Sequence, residues 1–289
     1  MTTTYPILGA HMSIAGGYYK AVEAAASFEM GAVQLFTKNN NQWRAKEITD
    51  DDAARYRGAM AEHGLRHHVA HNSYLINMAS PDPLLWAKSV EAMVIELRRA
   101  EQLGIPGVVA HPGAFTTSSE AAGIAQIIRA LDEVHRQTPG LQAKCLLETT
   151  AGQGSCLGAR FEHLAQILDG VEDPERLGVC FDTCHVFAAG YPMGTKKEYR
   201  ATLRAFDQTV GVKQIAAFHI NDSKAKFNSH VDRHAKIGAG EMGLEPFRHL
   251  LNDRRFRKTP MLLETPKGEE AGESLDAINL RTLRSLVGS

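Results

Sequence analysis

The 289-residue chain repeats one arrangement, a short apolar run that stops on a polar residue, in most cases one able to bind a metal or move a proton. The runs PILGAH, AVQLFTK, RHHVAH, PGVVAH, AKCLLET, LGVCFDT, IAAFHIN and PMLLET end, in order, at His11, Thr37-Lys38, His71, His111, Glu148, Asp182, His219 and Glu264. One polar residue at the end of such a run is ordinary. Six in succession, offering His, His, Glu, Asp, His and Glu, point to a shared site. Two further pieces follow run ends: His185 in Asp182-Thr183-Cys184-His185, and the pair Asp232 and His234 in Val231-Asp232-Arg233-His234. Residues two apart in an extended segment point to the same side. Gathered in one space without cations, these carboxylates would repel one another beside neutral imidazoles, and divalent cations resolve that conflict. Nitrogen and carboxylate donors without thiolates suit Zn²⁺ in a hydrolytic site, with Mn²⁺ or Fe²⁺ as competitors. Nine ligands exceed what one or two metals need, so three are expected. A metal pair of this kind suits in-line displacement at a phosphoryl group.

The elements that must position these residues are also legible. Each run is about five to seven residues long and mostly apolar rather than alternating, as in parallel strands buried on both faces. Helical stretches separate them, among them YYKAVEAAASFEMG, DDAARYRGAMAEHG, PLLWAKSVEAMVIELRRAEQLG, SEAAGIAQIIRALDEVHRQTPG and KKEYRATLRAFDQTVG. Thr49-Asp50-Asp51 and Ser118-Ser119-Glu120 read as helix starts, and several stretches close on Gly. Eight strands alternating with helices predict an α/β fold, a single (β/α)₈ TIM barrel spanning residues 1–289, with the site at its C-terminal mouth. A doubly wound sheet would normally carry G-x-G-x-x-G after its first strand, and Gly16-Gly17 lacks that form.

Composition narrows the partners. The formal net charge of −1 gives no broad basic surface, although bound metals would return positive charge to the site. Four cysteines form no C-x-x-C pair; Cys145 and Cys180 lie in apolar runs and read as core thiols, fitting a reducing cytosol. No signal peptide is evident and no apolar run reaches ~20 residues, so a cytoplasmic protein without a membrane partner is expected. A monomer is expected too, since no sustained apolar surface stripe stands out. Other polar residues read as structural. His63, His135, His163 and His249 fall in helical stretches, while His67 and His68 begin the third run, away from the mouth. Trp86, Met93 and Leu97 share an amphipathic helix and should cover the barrel. Glu269-Glu270 reads as a solvated pair. His11, at the mouth, is placed to contact phosphate or a ligand carboxylate.

The segments GAHMSIAGG, LFTKNNNQWRA, HNSYLIN, HPG, LETTAGQG, GVCFDTCHVFAAGY, HINDSK, VDRHAKIGAGEMG and LLET resemble, in order, the signatures of the endonuclease IV family. The resemblance runs from about residue 7 to residue 265. It implies a DNA-repair hydrolase that uses three Zn²⁺ ions, with Mn²⁺ a possible substitute. One zinc would take His71, His111 and Glu148. A second would share Glu148 and take Asp182, His219 and Glu264, and a third His185, Asp232 and His234. Glu148 and Glu264 would carry the catalytic charge balance. The implied reaction is cleavage of duplex DNA on the 5′ side of an abasic site, leaving a 3′-hydroxyl and a 5′-deoxyribose phosphate. Removal of blocked 3′ termini and a nucleoid association through DNA are further expectations. Lys38, Asn39, Asn41 and Gln42 match one DNA-probing loop, and Tyr74 and Leu75 match positions that enter the helix when the abasic nucleotide is flipped out, which is cheapest where a base is missing. Asn41, Asn72, Thr149 and His230 depart from the family's commoner Arg, Asp, Asn and Arg. Two rivals stand beside this reading: a metal-dependent sugar isomerase or epimerase on the same barrel, and a silent binder of damaged DNA.

Overall fold

The computed structural model describes residues 6–288. Eight parallel strands close into a barrel: β1 (Leu8–His11), β2 (Ala32–Phe36), β3 (His67–His71), β4 (Gly107–Ala110), β5 (Lys144–Glu148), β6 (Leu177–Asp182), β7 (Ile215–His219) and β10 (Met261–Leu263). Two short hairpins, β8 (Asp222–Ser223) with β9 (His234–Ala235) and β11 (Glu269–Glu270) with β12 (Glu273–Ser274), decorate the loops. The eight-stranded α/β barrel expected from the sequence is the fold observed.

Outside the barrel lie α1 (Tyr18–Ser27), α2 (Asp50–Glu62), α3 (Pro83–Leu103), α4 (Glu120–Gln137), α5 (Phe161–Gly170), α6 (Thr183–Ala188), α7 (Lys196–Thr209), α8 (Glu245–Leu251) and α9 (Leu275–Ser285). Local chemistry sets their ends. Thr49 and Asp52 form a capping box at the start of α2, and Ser119 caps α4 through the Ala122 amide. Helix α3 opens on Asp82 followed by Pro83 and stops at Gly104, whose φ of 77° suits a residue without Cβ. Met93 and Leu97 on α3 are buried against the strands, each such side chain stabilising by ~1.5–3 kcal/mol, and Trp86 packs at the edge with its indole N–H donated to the Gln126 carbonyl.

The barrel interior decides where the chemistry sits. Ile7, Ala32, Val69, Val109, Leu146, Cys180, Ala217 and Leu262 form one apolar cluster, the plug of the barrel. Strand side chains alternate, so the residue two positions later on each strand faces the same interior, one layer nearer the mouth. Those residues are Gln34, His71, His111, Glu148, Asp182, His219 and Glu264. Close strand approach permits this layering. A Cβ at Gly9 would lie 2.1 Å from the Ala32 carbonyl oxygen, so β1 requires glycine there.

Candidate metal centre

Glu148 stands at the centre, fully buried at the end of β5. Its two oxygens face different partners. Oε2 lies 3.4 Å from His71 Nε2 and 3.1 Å from His111 Nε2, while Oε1 lies 2.7 Å from His219 Nδ1. His219 Nδ1 is also 3.1 Å from Glu264 Oε2 and 3.8 Å from Asp182 Oδ2. The donor atoms of His71, His111 and Glu148 form one tight group, and those of Glu148, Asp182, His219 and Glu264 form another. A carboxylate shared between two such groups has the disposition of a bridge.

The third expected set is assembled by loops. Asp182 accepts the His185 amide N–H at 2.8 Å and so caps the short helix α6, which carries His185. The hairpin of β8 and β9 brings His234 over the mouth, with Asp232 in the connecting loop. Asp232 Oδ1 is 3.1 Å from His185 Nε2 and 3.6 Å from His234 Nε2. His185 and Asp232 also group with His111, and His234 lies 3.6 Å from Asp182 Oδ2, so the three sets are contiguous. Asp222, at the base of this hairpin, accepts the amide N–H groups of Gly238, Gly240 and Met242 and fixes the loop that follows.

Each of three imidazoles is oriented by a backbone carbonyl. His71 Nδ1–H donates to the Asn72 carbonyl at 2.9 Å, His185 Nδ1–H to the Thr149 carbonyl at 2.8 Å, and His234 Nδ1–H to the Glu264 carbonyl at 3.3 Å. These three therefore present Nε2 to the cluster. The Nε2 atoms of His185 and His234 are buried without a hydrogen-bond partner. Burial without a partner is costly for a polar atom, and a cation at this position would remove the cost. The donor set thus fits metal ions on the geometry alone.

Without cations the cluster is strained electrostatically, and its proton affinities say so. Burial alone would raise the Glu148 carboxyl, yet the charges of His219 and His111 hold it well below its usual range. Burial likewise opposes charge on His185, but Asp182 and then Asp232 carry it well above its ordinary value. Asp232, disfavoured by burial, is drawn down to about 2 by the adjacent His185. The thiols do not compete. Burial pushes Cys180 and Cys184 up to about 12, so both are neutral, and Cys145 lies in the core as expected.

The residues expected to probe DNA divide. Asn39, Asn41 and Gln42 are exposed on the loop after β2, with the Asn39 side chain accepting the Asn41 amide N–H at 2.9 Å. Tyr74 is 64% exposed, its ring edge against Phe36 and His71, and Leu75 beside it is half-buried. A cleft of about 300 Å³ opens here between Tyr74, His71 and His111. Lys38 is the correction. Expected to reach DNA, it is 5% exposed, donating to the Gln42 carbonyl at 2.7 Å and pairing with Glu96 at 3.5 Å. Strand β2 ends at Phe36, and beyond it Thr37 turns outward to donate to Glu96 at 2.5 Å, which carries Lys38 onto the same carboxylate. Glu96 also accepts the Ser73 amide, and Arg99 one turn along α3 donates to the Thr37 carbonyl and the Lys46 carbonyl. This buried knot fastens the loops after β2 and β3 together.

Sequence reasoning missed Gln34 and Asn221 as well. Both are fully buried. Asn221 donates to Asp182 Oδ2 at 2.7 Å and accepts the Glu264 amide at 2.8 Å, holding two candidate ligands in register. His11 makes the carboxylate contact allowed for it, 3.8 Å from Glu264. Thr149 fills its departure from the family pattern with a hydroxyl that accepts the Asp182 amide. A roomier cavity of about 860 Å³ lies between α7 and α8, lined by Arg200, Arg204, Arg248 and Arg255, but it touches none of the clustered ligands.

A family model described as xylose isomerase-like TIM barrel matches residues 22–283. The chain is 47% identical over 281 residues to "Probable endonuclease 4" of Citrifermentans bemidjiense, covering 97% of this chain and 99% of that protein. The chain belongs to the endonuclease IV family. Its resemblance to that family extends to a solved structure, endonuclease IV from Thermus thermophilus, with a TM-score of 0.85, 35% identity and coverage of 97% and 98% of the two chains. A D-tagatose 3-epimerase-like protein shares the fold alone, with a TM-score of 0.73 at 18% identity and coverage of 96% of each chain. Endonuclease IV membership narrows the activity to that of a nuclease, which a fold match by itself would not.

Proposed function

We propose that this chain is a metal-dependent DNA-repair nuclease that hydrolyses the phosphodiester 5′ to abasic sites in duplex DNA, leaving a 3′-hydroxyl and a 5′-deoxyribose phosphate. The observation that carries this reading is the pair of buried Nε2 atoms of His185 and His234, without hydrogen-bond partners beside Asp232. A sugar isomerase or epimerase, which works with one or two metals, has no use for this third set. The intact carboxylates Glu148, Asp182 and Glu264 argue equally against a silent DNA binder.

His71, His111 and Glu148 would hold one Zn²⁺; Glu148, Asp182, His219 and Glu264 a second; His185, Asp232 and His234 a third. Mn²⁺ is the substitute that the same donors accept. When bound, such ions supply Lewis acidity for activating water and for balancing charge on phosphate and leaving oxygen. The protein's own part is orientation. Glu148 divides its oxygens between two sets, the backbone carbonyls of Asn72, Thr149 and Glu264 hold Nδ1 protons of three imidazoles, and Asn221 fixes Asp182. Asn39, Asn41, Gln42, Tyr74 and Leu75 would meet DNA around the cleft, and Tyr74 and Leu75 would fill the helix as the abasic nucleotide leaves it. Blocked 3′ termini present the same phosphodiester chemistry and would be processed at the same cluster.

The test uses purified protein loaded with zinc and a duplex carrying one abasic analogue. About three zincs per chain and nicking on the 5′ side of the lesion are expected. One zinc per chain, or tight binding without nicking, would overturn the reading. Glu264→Gln should keep the fold by circular dichroism and lose cleavage by more than about 100-fold, beyond the cost of losing a ligand's hydrogen-bond partner alone.

A further inference from the structure

His219 breaks the rule that three other imidazoles follow. His71, His185 and His234 each give the Nδ1 proton to a backbone carbonyl and present Nε2. In His219 the ring is reversed: Nδ1 faces Glu148, Glu264 and Asp182, and Nε2 points away from the cluster into the barrel. There it lies 2.7 Å from Gln34 Oε1. The Gln34 amide nitrogen lies 2.5 Å from Glu264 Oε1 and 3.0 Å from His11 Nδ1.

The orientation of this amide follows from its neighbours. A buried carboxylate oxygen only accepts, so the amide nitrogen must face Glu264 and the amide oxygen must face His219. An amide oxygen only accepts too, so His219 Nε2 must carry a proton. The Nδ1 lone pair, or a cation upon it, is then fixed toward the three carboxylates. Gln34 is fully buried on β2, where its side chain is locked between β1, β7 and β10, out of reach of bulk solvent.

We infer that Gln34 is a positioning residue for the metal centre, setting the tautomer of His219 and the rotamer of Glu264 in one contact so that the second metal is bound through His219 Nδ1. This rests on the metal-dependent reading above. Ties of this kind are worth 10–100-fold in metal affinity. Among these four imidazoles, it is the tie that a point substitution removes, because the other three are made by backbone carbonyls.

Two variants separate hydrogen bonding from packing. Gln34→Leu fills the volume but leaves His219 Nε2–H and Glu264 Oε1 dry and unpaired. Gln34→Ala opens a small polar cavity that water can enter and bridge. Zinc affinity, read by competition with a chromophoric chelator, should fall about 10–100-fold in Gln34→Leu and less in Gln34→Ala. A packing role predicts the reverse order, so an unchanged affinity in the Leu variant, or a larger loss in the Ala variant, overturns the inference. A second measurement needs no variant. In zinc-loaded wild-type protein, long-range ¹H–¹⁵N spectra of labelled histidines should show His219 protonated at Nε2, and metallation at Nε2 instead would overturn the inference. Wild-type protein that binds no zinc sinks the metal reading itself, which distinguishes the two failures.

Discussion

Two buried clusters of charge lie within one barrel, and they are built on opposite terms. At the knot on α3, the carboxylate of Glu96 meets Lys38, Thr37 and the Ser73 amide, and Arg99 is met by Thr37, Tyr18 and the Lys46 carbonyl. None of these side chains leaves a buried polar atom without a partner. At the mouth, Glu148, Asp182, Asp232 and Glu264 face five imidazoles, and two of those imidazoles keep partnerless buried nitrogens. A closed network holds loops in place; an open one waits for a ligand. Difference in satisfaction, more than in charge, separates the closed cluster from the candidate metal centre.

That contrast can be broken by removing metal. Chelation should abolish nicking and lower the melting temperature, since zinc at about 1,000 times its Kd stabilises by about 4 kcal/mol per site. Thermal unfolding with and without chelator measures it, and an unchanged midpoint would mean that the mouth is as complete as the knot. The converse experiment is Glu96→Gln, which leaves Lys38 and Arg99 buried beside a neutral group. Loss of about 3–5 kcal/mol in urea unfolding is expected, with zinc content unchanged. Zinc loss with stability intact would erase the distinction.

The smallest expected effect sharpens the comparison within a single strand. His68 and His71 lie three residues apart on β3, on opposite faces. His68 faces α2, where burial lowers it to about 4 and its Nδ1 lies 2.8 Å from the Tyr56 hydroxyl. At the mouth burial also disfavours charge on His71, but Glu148 and Glu264 raise it. A folded His68 refuses a proton that the unfolded chain accepts near pH 6.5. Its contribution is therefore present above that value and lost as pH falls toward 4. Between about pH 7 and 4.5, both in chelator, wild type should lose roughly 2–3 kcal/mol more than His68→Gln. Equal losses would show that His68 charges freely while folded.

Much of this was legible in the residues. Strand ends, helix caps at Thr49 and Ser119, the placement of His67 and His68 at the far end of β3, and the candidate ligands at the mouth all follow from periodicity and residue type. Strand β2 was the exception. Its run is apolar on both sides of Gln34 through Phe36, and the more conspicuous polar pair, Thr37-Lys38, comes after it. Without neighbours to fix the register, a run of this kind does not reveal which parity faces inward, and a slip of one residue exchanges the faces.

The sequence alone determined which side chains meet, because a (β/α)₈ barrel brings its strand ends to one mouth and each strand-end ligand follows an interior apolar residue by two. Tertiary structure alone decided how they meet. Whether His219 offers Nδ1 or Nε2, whether Lys38 faces DNA or Glu96, and whether Gln34 lies inside the barrel depend on contacts between residues far apart in the chain. Those contacts are directional, and direction is set only when the strands close.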